Sequence, residues 1–181
     1  MNCWKTIRVT RDYGSLRLMM YSGTTMLLSF LFYYLVVSTV IPTNELTNIS
    51  FFALITSIIS IVYIHKCLHL LPIWLCGKKA TIKVHWLYII PILSIKTTKP
   101  LPRNLYLLAL LTPIFIMTSI GALAITVFPM YLALISILSS IHFGIAFYDV
   151  IYASYLIKAP KKSFVEDHDE GFHILIKQQA M

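Results

Sequence analysis

The segment His65-Lys66-Cys67-Leu68-His69 places two histidines four residues apart inside a long apolar stretch. In a helix, side chains with this spacing lie on one face, one turn apart, which is how a histidine pair chelates zinc. A hydrolytic zinc site of this pattern has a glutamate directly after the first histidine, where it acts as the general base. Lys66 occupies that position, so the segment predicts a metal site with altered chemistry.

Two further ionisable residues, His142 and Asp149, fall within a later apolar segment, where charged groups are costly. At a rise of about 1.5 Å per residue, His65 and His69 lie about 24 and 30 Å into their span, and Asp149 lies about 28 Å into its own, counted from the same side. Two histidines and a carboxylate from another helix form a common zinc ligand set with a fourth position for water. The sequence therefore predicts zinc ligation by His65, His69 and Asp149, with His142, about 18 Å deep, as a hydrogen-bond partner between helices.

A metal-free arrangement of the same side chains is also open. Lys66 and Asp149 could form a structural ion pair within the membrane, and His69 could be a polar anchor near the lipid head groups. In that case the segment would stabilise the fold without binding zinc.

The composition identifies the class of protein that must position these residues. Of the 181 residues, 58% are hydrophobic and only 12% are charged, which is typical of an integral membrane protein. A helix needs about 20 apolar residues to span a bilayer, and four segments are long enough. We expect spans at residues 18–41, 49–76, 105–128 and 130–157 of a single membrane domain.

The basic residues predict the orientation. All of the 15 Lys and Arg residues except Lys66 precede the first span, lie between the second and third, or follow the fourth. By the positive-inside rule, both termini and the connection 77–104 are cytoplasmic. The net charge of +8 then reflects topology and anionic lipid, and we expect the lipid bilayer and not nucleic acid as the partner of these charges.

Outside the spans, residues 3–10 and 80–86 alternate polar and apolar side chains, and residues 163–166 and 172–177 flank Asp169-Glu170-Gly171, a plausible hairpin turn. The predicted fold is an α-helical polytopic membrane protein with four transmembrane helices and a small cytoplasmic β element formed by the termini and the 80–86 segment. The apolar residues 87–95 include Pro91 and suggest a re-entrant or interfacial stretch.

Several motifs along the chain resemble those of the DUF3267 family of small bacterial membrane proteins, and the resemblance covers nearly the whole length. The motifs are Cys3-Trp4-Lys5-Thr6, Tyr13-Gly14, the histidine pair with Gly77-Lys78-Lys79, Asp149, Leu156-Ile157-Lys158-Ala159-Pro160-Lys161 and Val165-Glu166-Asp167-His168. The resemblance implies a zincin-type metallopeptidase in a bacterial plasma membrane, similar in layout to site-2 proteases, with zinc ligands at His65, His69 and Asp149.

The family's catalytic glutamate corresponds to Lys66, and here the sequence departs from the family pattern. An ammonium group cannot accept the proton of a metal-bound water, so Lys66 could act as a base only in its neutral form. We therefore expect a zincin-like pseudoprotease that binds a membrane-protein or peptide client without cutting it. The alternatives are an active intramembrane zinc peptidase with a non-standard base, and a structural or transport-accessory protein without metal.

Overall fold

Four long helices dominate the structure, a computed structural model that describes residues 2–41, 47–87, 90–97, 99–168 and 171–176. They are α2 (Ser15–Val40), α3 (Phe51–Leu75), α4 (Arg103–Val127) and α5 (Leu132–Lys158); a short helix α1 (Val9–Tyr13) precedes them, and a 3₁₀ turn (Pro129–Tyr131) lies between α4 and α5. At about 1.5 Å per residue, each long helix exceeds the roughly 30 Å of a bilayer's hydrocarbon core. All four are apolar enough to cross a membrane, which confirms the predicted fold class of four spans with a small β element.

The two ends of the chain meet in one antiparallel sheet. Its strands are β1 (Asn2–Ile7), β4 (Leu101–Pro102), β5 (Ser163–His168) and β6 (Gly171–Ile176), in the order β1-β6-β5-β4. The predicted hairpin of the C-terminal tail is β5 and β6, although turn residues 169 and 170 lie outside the described residues. Alternation of buried and partly buried residues along β6 leaves Phe172 and Ile174 in the core.

The segment after α3 forms a separate two-stranded sheet. Strand β2 (Ala80–Leu87) pairs antiparallel with β3 (Ile90–Thr97), with Ala80 opposite Thr97 and Leu87 opposite Ile90. The 80–86 strand is therefore present, but it pairs with its own neighbour and not with the strands of the termini. Residues 90–95 of the segment expected as a re-entrant or interfacial stretch form a strand, in which pairing with β2 satisfies their backbone groups. Residues 88 and 89 lie outside the described part, and the location of this segment relative to the membrane stays a prediction.

The chain divides into two compact units, and the expectation of a single membrane domain stays a prediction. The first unit comprises Met1–Ser15, Lys66–Thr112 and Val150–Met181. Its core cluster joins the end of α3 to the strands and to α4 through the buried residues Leu70, Ile73, Ala80, Leu101 and Ala109.

A partly buried carboxylate joins three elements of the first unit. Asp167 on β5 accepts hydrogen bonds from the Tyr106 hydroxyl (2.8 Å) and from the backbone N–H and hydroxyl of Thr97 (3.1 and 3.0 Å). Burial raises the pKa of the Asp167 carboxyl, and these hydrogen bonds, together with the charge of Lys96, oppose part of the rise. The end of β3 and the start of α4 are thereby fixed to β5.

The second unit comprises Leu16–His65 and Pro113–Asp149, and its described secondary structure is helical. Gly144 allows close approach of α2 and α5, since a Cβ at this position would lie 3.2 Å from the Cβ of Met26. The Ser22 hydroxyl also donates to the Gly144 carbonyl at 2.7 Å. The outer helix faces are apolar and exposed, as lipid contact requires, whereas polar side chains are buried at Ser136, Ser140, His65, His142 and Asp149.

Candidate metal site

His65 and Asp149 form a buried pair between α3 and α5. The Nε2 atom of His65 lies 3.0 Å from Oδ2 of Asp149, and the two residues are 0% and 6% exposed. The surrounding residues of both helices are mostly apolar, and the two polar side chains are buried between the helices and shielded from lipid. This contact with an imidazole offsets part of the free-energy cost of removing the Asp149 carboxylate from water.

His142, two turns before Asp149 on α5, contacts the other ring nitrogen of His65. The two Nδ1 atoms are 3.2 Å apart, which is a hydrogen bond in which one ring donates and the other accepts. His142 is 2% exposed. Because both nitrogens of His65 are engaged, one with His142 and one with Asp149, the orientation of its ring is fixed from two sides.

His69 lies one turn after His65 on the same helix, and it is 4% exposed. Its Nδ1–H donates to the carbonyl oxygen of Ala109 at 2.8 Å. A carbonyl can only accept, so Nδ1 carries the hydrogen, and the neutral ring has its lone pair on Nε2. Zinc-bound histidines commonly show this arrangement, with one nitrogen on a backbone carbonyl and the other on the metal.

One candidate ligand atom from each of His65, His69 and Asp149 lies within 4.8 Å of the others. Zinc–ligand bonds of about 2.0–2.2 Å place tetrahedral ligand atoms about 3.3–3.6 Å apart, so the three ligand atoms would have to move closer together to hold the ion. Two imidazoles with one carboxylate suit zinc better than magnesium or calcium, which prefer oxygen ligands. The residues fit the metal, and their assignment as its ligands stays a prediction.

Lys66 lies between the two histidines in the sequence and is partly buried. Within the described part of the chain, its ammonium group forms no hydrogen bond or ion pair, whereas Asp149 pairs with His65. The structure thus gives no support to an ion pair of Lys66 with Asp149. It places Lys66 directly after the first histidine, where a hydrolytic site would have its glutamate.

The sequence did not indicate the carbonyl of Ala109 as the partner of His69. A backbone carbonyl has no residue-type signal, so only the packing of α4 beside α3 within the first unit could reveal it. The contact between His142 and His65 was expected only as a generic bond between helices, and its partner was not identified.

Comparison with known proteins identifies the family of this chain. No curated protein and no solved structure matches the chain. A family model, DUF3267, described as "Putative zincin peptidase", matches residues 58–164. The matched segment contains both histidines of α3 and Asp149, and it covers more than half of the chain. The protein therefore belongs to the DUF3267 family.

Proposed function

We propose that this protein is a zincin-like integral membrane protein that binds zinc and recognises a client without cutting it. The observation that carries the proposal is the buried contact of His65 with Asp149, with His69 one turn further along α3 and its Nδ1–H on a backbone carbonyl. Burial of a carboxylate and two imidazoles inside an apolar segment is costly unless the groups act together. Membership of a zincin-type family agrees with a zinc site of this composition.

Each residue of the site has a distinct role in this proposal. His65 and His69 supply nitrogen ligands, Asp149 supplies an oxygen ligand, and His142 holds the His65 ring through its Nδ1. A bound zinc ion would polarise a carbonyl group or lower the pKa of a bound water. The Ala109 carbonyl keeps the hydrogen of His69 on Nδ1 and so directs Nε2 toward the metal.

Lys66 is the reason for proposing binding without cleavage. Peptide hydrolysis at a zincin site needs a group that accepts a proton from water and returns it to the leaving amine. A charged lysine cannot accept that proton, and its positive charge opposes that of the metal. A membrane-protein or peptide segment could still enter the site and be held there, which is the activity of a pseudoprotease.

The zinc site is tested by metal analysis of the purified protein. We expect about one zinc per chain in wild type and a loss of at least tenfold in occupancy in His65→Ala, His69→Ala and Asp149→Asn. His173→Ala and Asp12→Asn are matched controls from the first unit, outside the site, and should keep the metal. Metal-free wild type would contradict the zinc site, and a loss of stability in the three site variants would then favour the structural alternative.

The absence of cleavage is tested by restoring the acid. We expect Lys66→Glu to cleave a membrane reporter at a rate about 10²–10⁴ times that of wild type, which is the usual contribution of a general base. Lys66→Gln removes the charge without adding a base and should stay inactive, and Lys66→Glu combined with His65→Ala should lose the new activity. Wild-type cleavage that depends on His65 would instead establish an active peptidase with a non-standard base.

We also propose a bacterial plasma membrane location with both termini in the cytoplasm. The support is the charge distribution, because the connection 77–104 and both termini carry the basic residues. A reporter that is active only in the cytoplasm should be active when fused to either end of the chain, and a reporter that is active only in the periplasm should be inactive at both ends. A periplasmic signal from both fusions would reverse the orientation.

A further inference from the structure

A cavity lined by lysines lies at the end of α3, outside the candidate metal site. Its volume is about 430 Å³, within the range of about 300–1,000 Å³ common for small-molecule sites. The described residues that line it all belong to the first unit and include no carboxylate: Gly77, Lys78, Lys79, Lys99, Pro100 and Leu101. Among the described residues, the side chains of Lys78 and Lys99 form no hydrogen bond or ion pair with the protein.

The first wall of the cavity is a fixed turn. The N–H of Lys78 donates to the Ile73 carbonyl (3.0 Å), and the N–H of Gly77 donates to the Trp74 carbonyl (2.9 Å). With Gly77 at φ +67°, this pair of bonds is a Schellman motif that ends α3. The Trp74 indole N–H donates to the carbonyl of Ala80 at 3.1 Å and closes the turn from the other side. These hydrogen bonds therefore fix the backbone of Lys78 and Lys79 at the cavity even when no ligand is bound.

The second wall is held by the same core as the first. Leu101 follows Lys99 and Pro100, and it is 2% exposed. Ala80 follows Lys79, and both Ala80 and Leu101 belong to the core cluster with Ile73. Because this cluster anchors each wall one or two residues from its lysines, the cavity is formed before any ligand binds, which lowers the entropy cost of binding.

The surroundings of the cavity point to lipid as the source of its ligand. Trp74 and Leu75, at the last turn of α3, are 59% and 79% exposed, although both are large and apolar. Such side chains at the end of an apolar helix contact the boundary between hydrocarbon and head groups, where tryptophan is enriched. Only Cys76 and Gly77 separate Leu75 from Lys78 and Lys79, so a helix end at this boundary would bring these two lysines close to the lipid phosphates.

We propose that this lysine cavity binds the phosphate of an anionic phospholipid head group. Lysine ammonium groups are point charges that suit phosphate oxygens, and basic pockets beside membrane helices bind such head groups. A soluble phosphate compound would offer the same chemistry, and the second arm of the experiment below distinguishes it from lipid. The positive charges of Lys78 and Lys79 also interact favourably with the negative, C-terminal end of the α3 dipole, and this stabilisation of the fold needs no ligand.

The test measures retention of one phosphatidylglycerol molecule per chain, by native mass spectrometry of protein from nanodiscs of phosphatidylcholine with increasing phosphatidylglycerol. We expect the triple variant Lys78→Gln/Lys79→Gln/Lys99→Gln to bind this lipid roughly 100-fold more weakly than wild type. This follows from about 1 kcal/mol per lysine near a membrane surface and 1.4 kcal/mol per tenfold in affinity.

The matched control is Lys158→Gln/Lys161→Gln/Lys162→Gln, which removes the same charge from exposed positions at the last residue of α5 and just after it. It should retain the single lipid within about threefold of wild type, since these lysines do not line the cavity. Equal losses in both triple variants would overturn the proposal in favour of general surface attraction. Single variants Lys78→Gln and Lys99→Gln, expected to lose about fivefold each, keep the test valid if the triple variant misfolds.

A second arm separates the two sources of phosphate. Inorganic phosphate at millimolar concentration is added to protein in pure phosphatidylcholine nanodiscs, and thermal unfolding is followed. Stabilisation of wild type by phosphatidylglycerol but not by inorganic phosphate supports the lipid. Stabilisation by inorganic phosphate alone, lost in the cavity triple variant, would overturn the lipid and assign the cavity to a soluble phosphate compound.

Discussion

Replacement of His142 by alanine tests whether this residue orients a zinc ligand or is itself one. If zinc binds His65 through Nε2, the neutral ring must carry its hydrogen on Nδ1, and that hydrogen can be donated to Nδ1 of His142 at 3.2 Å. His142→Ala leaves this donor without its partner in a site where His65 is 0% exposed.

The expected loss of zinc affinity in His142→Ala follows from the burial of the site. An unpartnered buried donor costs about 1–3 kcal/mol, and partners of metal-bound histidines usually contribute about 10–100-fold to metal affinity. We therefore expect zinc affinity of His142→Ala to fall about 10–100-fold, whereas His65→Ala should lose detectable binding. His142→Asn retains an acceptor in the region and should recover part of the loss.

The assay is competition with a chromophoric zinc chelator in detergent solution, with folding checked by thermal unfolding of the metal-free protein. Two outcomes would contradict the role of His142 as a supporting residue. Unchanged affinity would show that His142 does not support the ligand, and a loss as large as in His65→Ala would make His142 a ligand. This prediction rests on the zinc site and fails with it if wild type binds no metal.

Two further predictions concern the sheet of the first unit. The raised pKa of Asp167 means that the folded state favours its protonated form, so the stability due to this group is fully present below about pH 4 and is lost as pH rises through the raised value. In thermal unfolding, wild type should therefore lose stability relative to Asp167→Asn as pH rises above about 4, while Asp12→Asn follows wild type; parallel curves for wild type and Asp167→Asn would contradict this assignment. Gly171→Ala should destabilise the sheet by about 1–3 kcal/mol or more, because its Cβ would lie 2.0 Å from the Ile7 carbonyl oxygen of the neighbouring strand. Gly23→Ala, with no atom within 4 Å of its Cβ, is the control and should be neutral or slightly stabilising in the same melt.

Much of the helical architecture could be predicted because the bilayer imposes a simple rule on sequence. A spanning helix must be about 20 residues long and apolar on every side, and this signal is local. The structure accordingly places α3 at Phe51–Leu75 and α5 at Leu132–Lys158, close to the predicted 49–76 and 130–157. The β element was harder to predict, since strand pairing depends on partners far apart in the chain.

The segment after α3 shows where local pattern is insufficient. Residues 87–95 are apolar and contain Pro91, and these features alone do not distinguish a re-entrant stretch from a strand. The register with β2 places Pro91 opposite Trp86 and shows that residues 90–97 form a strand. Likewise, the joining of β1 to β6 brings residues from opposite ends of the chain together, which no local pattern indicates.

At the candidate metal site, the amino-acid sequence alone set the histidine spacing, the lysine between the histidines and the single acid of the membrane spans. Helix periodicity and the rise per residue follow from backbone geometry, so the depths of Asp149 and His65 could be compared from residue counts alone. Which atoms meet depended on the tertiary fold, since the rotation of each helix about its axis and the choice of rotamers are set by packing. It is this packing that sets Nε2 of His65 against Asp149, Nδ1 of His65 against His142, and Nδ1 of His69 against the Ala109 carbonyl.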